Sequence, residues 1–130
     1  MTVARISKGL LVSTSAAFVA AAALVLLFEY SAMAAGFVYP RMNLPAWMFD
    51  LRIAFSIGLL AGVLAQFYRT FPPSTVYSTS AFLTGAWWLY RSVSNFTFDR
   101  WLPESFYLAS FIFIGGAAAH VAIRARQLTD

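Results

Sequence analysis

From Gly9 to Gly36 the chain carries a single charged residue, Glu29, and that run fixes the solvent in which it can fold. A helix that crosses a bilayer needs about 20 mostly apolar residues, against about 7–15 for the core of a signal peptide. Arg5, Lys8 and a later Ala32-Met33-Ala34 imitate a cleavable leader, but the run is too long and places Glu29 just before the cut. A retained first transmembrane helix is expected.

Three further apolar stretches follow, separated by breaks rich in proline and charge. Pro40-Arg41-Met42-Asn43-Leu44-Pro45 is the first break, and Arg69-Thr70-Phe71-Pro72-Pro73, whose paired prolines cannot continue a helix, is the second. Asp99-Arg100-Trp101-Leu102-Pro103-Glu104 is the third. The predicted spans are residues 9–37, 50–68, 75–96 and 105–123. The expected fold is all-α: one transmembrane domain over residues 1–130, an antiparallel four-helix bundle with short loops and both termini on the same side.

Composition supports that solvent. Hydrophobic residues make up 61% of the chain and charged residues 11%, where soluble proteins average about a quarter charged. A soluble domain of 130 residues buries only about two-thirds of the surface it exposes unfolded, too little to hide so much apolar side chain. The net charge of +4 is spread without a basic run, which argues for Arg and Lys at membrane edges and against a nucleic-acid partner. The chain has no Cys, so disulfides and thiolate metal sites are excluded. With the termini inside, Arg5, Lys8, Arg69, Arg124 and Arg126 face in, and Arg41, Arg52, Arg91 and Arg100 face out. That is a weak preference under positive-inside counting. The nonapeptide at residues 37–45 faintly echoes 96–103; two interfacial loops or a duplicated hairpin would each produce it.

Small residues mark where helices meet in lipid, because close backbone approach replaces hydrophobic burial as the driving force. Ala54, Gly58 and Gly62 recur every four residues on the second span. Gly115, Gly116, Ala118, Ala119 and Ala122 do so on the fourth, and Ser13, Ala17 and Ala21 on the first. These faces serve internal packing, packing against other subunits, or both.

Polar residues inside the spans are the sharper signal, since intramembrane charge is costly and faces a partner or a cavity. At 1.5 Å per residue Glu29 lies about 29 Å along its helix from Leu10, and Arg91 about 24 Å from Thr75, at similar depth. An ion-paired cluster of Glu29, Arg52 and Arg91 is therefore expected. Tyr77, Ser80, Thr84, Arg91 and Asn95 form one polar stripe on the third span. Trp87 and Trp88, with Trp47 and Trp101, fit an interfacial aromatic belt; contact with a lipid or a flat apolar ligand such as a quinone, pigment or sterol is the alternative. His120, the only histidine, is expected to be a hydrogen-bonded packing residue; as a haem ligand it would need its second axial ligand from another chain.

No phosphate loop, nucleophile elbow, dinucleotide fingerprint or metalloprotease motif occurs, and no cofactor is encoded by a recognisable motif. The sequence therefore points to a non-catalytic integral membrane subunit, packed against other membrane proteins or copies of itself. An oligomeric channel or transporter using the polar stripe is the first alternative, and a membrane enzyme on a lipid-like substrate the second.

Overall fold

The structure, a computed structural model, describes residues 3–34, 46–92 and 101–128. Among them there are four α-helices and no strands: α1 (Val3–Ala34), α2 (Ala46–Leu64), α3 (Pro73–Ser92) and α4 (Trp101–Leu128). A short 3-10 turn, Ala65–Phe67, closes α2. The expected loop echo, Arg41, Asn95 and Arg100 lie outside the described residues.

The helices start and stop for local reasons. Pro73 opens α3, where its missing N–H removes a donor that would have no partner anyway. Pro103 is accommodated in the same way in the first turn of α4. Between α2 and α3 the amides of Thr70 and Phe71 both donate to the Phe67 carbonyl, at 3.0 Å, which turns the chain before the prolines. Helix α1 begins ahead of the apolar run and α4 runs on through Arg124-Ala125-Arg126. Helical hydrogen bonding does not require apolar side chains, so both helices outlast their hydrophobic stretches.

At 32 and 28 residues, α1 and α4 extend about 48 and 42 Å, more than the roughly 30 Å of a bilayer core. Among the described residues two helices are long and apolar enough to cross a membrane, over Ser7–Ser31 and Ser105–Leu128. The apolar stretch of α2, Leu51–Ala65, is shorter. Of the apolar stretch of α1 22% is buried inside the protein, and of that of α4 50%.

Packing follows the small residues. Helix α1 lies against α2 and α4, α3 lies against α4, α2 also touches α4, and the contact between α2 and α3 is slight. Along α1 and α2, Phe18 meets Gly58 and Phe55 while Thr14 meets Gly62. Along α1 and α4, Phe28 meets Phe106 and Phe113 while Gly9 meets Arg126. Along α3 and α4, Trp88 meets Tyr107 and Phe111, Ser80 meets Gly115 and Tyr77 meets His120.

Among the described residues, side chains sort by size between the interior and the surface. Fully buried positions are mostly small: Ser13, Ala17, Ala21, Ala54, Ala61, Ala118, Ala119 and Ala122. Large apolar side chains point outward instead, with Leu11 at 68% exposure, Phe82 at 72% and Phe113 at 58%. Ile114 and Ile123 are the bulky side chains among the fully buried positions, and Ile53, Ile57, Trp88, Tyr107 and Phe111 are also buried.

Candidate functional site

The stripes of small residues on α2 and α4 each extend by one turn to a polar residue, and both of these meet the Ser13 end of the α1 stripe. Gly9 and Ser13 precede Ala17 and Ala21 on α1. Gln66 follows Gly62 by four, and Arg126 follows Ala122 by four. Helical periodicity thus carries Ser13, Gln66 and Arg126 to the same end of the interface among α1, α2 and α4.

Their side chains form one network. Arg126 Nε donates to Gln66 Oε1 at 2.9 Å. The Gln66 amide then donates to Ser13 Oγ at 2.9 Å and to the Gly62 carbonyl at 2.8 Å. Ser13 Oγ donates in turn to the Gly9 carbonyl at 2.8 Å. Arg126 is 4% exposed, so its charge is drawn out of solvent. Burying a guanidinium is costly unless hydrogen bonds replace its water, and this network supplies part of that replacement. Gly9 makes the approach possible: a Cβ there would stand 2.7 Å from Arg126 Cζ and 2.8 Å from its Cδ.

This cluster was missed from sequence. Positive-inside counting treats every terminal Arg as solvated and so places Arg126 at the membrane edge, and a lone Gln such as Gln66 carries no signal in it. The signal was the stripe itself, continued one turn further.

The expected intramembrane cluster is placed as follows. Glu29 is half-buried on α1, and Arg52 is exposed at the start of the described face of α2. The Arg52 guanidinium makes no ion pair with a described residue. Arg91 stands near the end of α3, but its side chain lies outside the described residues, and so does its expected pairing with Glu29.

The polar stripe of α3 splits into two parts. Ser80 and Thr84 are buried against α4: Ser80 Oγ donates to the Gly115 carbonyl at 2.7 Å, and Thr84 Oγ1 donates to the Ser80 carbonyl at 2.7 Å. Tyr77 lies further round the helix, half-buried, and its hydroxyl shares a hydrogen bond of 3.0 Å with Nδ1 of exposed His120. The two rings meet edge-on, with centroids 5.4 Å apart. Sequence reasoning had singled out both residues separately; the α3–α4 contact joins them.

The small faces lie within the chain. Gly58 and Gly62 abut the α1 backbone at Phe18 and Thr14, Ala54 is fully buried, and Gly115 and Ala119 face other helices of the same chain. The tryptophans diverge. Trp88 is buried and stacked on Phe111, with centroids 4.9 Å apart and planes at 18°. Trp87 is exposed and borders a groove of about 140 Å³ between α2 and α3, with Ile53, Ser56, Ile57, Leu60, Leu83 and Thr84.

Among the described residues no three His, Cys, Asp or Glu side chains gather where they could hold a metal ion. The chain matches no protein-family model, no curated protein and no solved structure. Its own geometry therefore carries the functional argument.

Proposed function

We propose that this chain is a multi-pass membrane protein, an antiparallel four-helix bundle with both termini on one side, acting as a non-catalytic subunit among other membrane proteins or copies of itself. The observation that carries the reading is the sorting of side chains by size: the fully buried positions are mostly Ala and Ser, and many large apolar side chains are exposed. In water such a surface would aggregate, because soluble monomers rarely show contiguous apolar patches above a few hundred Å². In lipid it is the favoured arrangement, with the backbones drawn together and the bulky groups facing acyl chains.

The polar groups support a structural role. Ser80 and Thr84 are engaged with helix carbonyls, and Ser13, Gln66 and Arg126 bond to one another. Each of these links holds one helix to another or to itself. The exposed rows, Leu11–Val19–Leu26 on α1 and Phe55–Leu59–Val63 on α2, remain for lipid or for neighbouring subunits.

Gentle extraction from the native membrane, followed by mass measurement of the intact particle, tests the assignment. The expected result is a fixed stoichiometry with a second membrane protein or with further copies. A chain that extracts only as a monomer, and that turns over a lipid-like substrate, would overturn it.

A further inference from the structure

We infer that the groove between α2 and α3 is a binding site for one acyl chain of an anionic phospholipid, with Arg52 holding the headgroup phosphate. The inference rests on the membrane placement proposed above.

The groove exists because α2 and α3 are the least tightly joined neighbours, while α1–α2, α1–α4 and α3–α4 are closely packed. Its walls are Ile53, Ile57, Leu60 and Leu83, with Trp87 at one end. Two hydroxyls face it, but Ser56 Oγ donates to the Arg52 carbonyl at 3.0 Å and Thr84 Oγ1 to the Ser80 carbonyl at 2.7 Å. With both donors turned back on their own helices, the lining offers an incoming ligand hydrocarbon.

Size decides the ligand class. Pockets for drug-sized, multi-ring molecules span roughly 300–1,000 Å³, so about 140 Å³ is too small for a sterol. An apolar cavity of about 150 Å³ takes a molecule the size of benzene. From Ile53 to Leu60 the wall runs about 10 Å along α2, so the space is narrow and suited to one chain.

Charge decides the headgroup. Arg52 precedes Ser56 by one helical turn, which places it on the groove side of α2 just beyond the rim. Its guanidinium is exposed and makes no ion pair with a described residue. Guanidinium matches phosphate oxygens in a two-pronged arrangement, so an anionic headgroup above the groove satisfies it.

The test is native mass spectrometry of the full chain released from nanodiscs of equal phosphatidylglycerol and phosphatidylcholine. Wild type is expected to retain one lipid per chain, with phosphatidylglycerol preferred. Leu60→Trp, which fills the groove, should release it. Arg52→Gln should still retain a lipid but lose about fivefold of the phosphatidylglycerol preference, the worth of one basic residue at an anionic surface. Retention of no lipid by wild type, or unchanged preference in Arg52→Gln, overturns the inference, and the latter decides even if Leu60→Trp does not fold. A protein partner cross-linking from Leu83 in place of lipid overturns it as well. Membrane topology is read separately by cysteine labelling, so failure here leaves that placement standing.

Discussion

Gly62→Ala should destabilise the protein, whereas Gly116→Ala should leave it unchanged or slightly more stable. At Gly62 an added Cβ would lie 2.8 Å from Thr14 Cα and 2.9 Å from Thr14 Cβ. Carbon atoms rest at about 3.5–4.0 Å, so the deficit is roughly 0.7 Å or more. The opposing atom is backbone, so α1 must move as a unit. Overpacking of this kind costs about 1–3 kcal/mol, and the better helix propensity of Ala returns about 0.8–1.0. The net loss is about 1 kcal/mol. At Gly116 the nearest atom, Ala81 Cβ, is 3.8 Å away, an ordinary contact, so only the propensity gain remains. The two alanine variants should thus differ by about 2 kcal/mol, roughly 30-fold in the folded-to-unfolded ratio. Reversible unfolding in mixed detergent micelles reads this difference. Equal shifts in both variants would show that α1 does not lie against Gly62 as described.

Gln66→Leu should cost about 1–3 kcal/mol by removing the acceptor of the buried Arg126 Nε–H and the donor to Ser13 Oγ, and adding Arg126→Met should recover part of the loss; a double-mutant cycle in the same micelles measures the coupling. Tyr77→Phe should cost only about 0.6 kcal/mol, a typical polar contact between membrane helices, and should be non-additive with His120→Ala. Ile114→Ala should cost about 2–5 kcal/mol by opening a cavity, while Phe113→Ala, on the exposed face, should change micelle stability by far less.

Much of the helical plan was legible because it rests on long-range composition. Apolar runs and proline-rich breaks place α1 to α4, and the four-residue recurrence of Ala and Gly marks the faces that touch. Helix ends were less legible. Residues such as Val3, Pro103 and Gln127 continue a helix by backbone bonding without any hydrophobic signal. The Ser13–Gln66–Arg126 network was hidden for a different reason. A single helix pattern says which side a residue occupies, but which helices share an end depends on the packing of three at once. The Tyr77–His120 pair shows the same limit: each residue stood out alone, and only the α3–α4 contact joins them.

Single-cysteine accessibility tests the central claim most directly, and the natural chain lacks cysteine, so each introduced thiol reports alone. Cysteines replace residues 8, 41, 69, 100 and 127 one at a time, and intact membranes meet an impermeant maleimide. A four-span bundle predicts that 8, 69 and 127 label from one side and 41 and 100 only from the other. Labelling of 41 and 69 from the same side would contradict it.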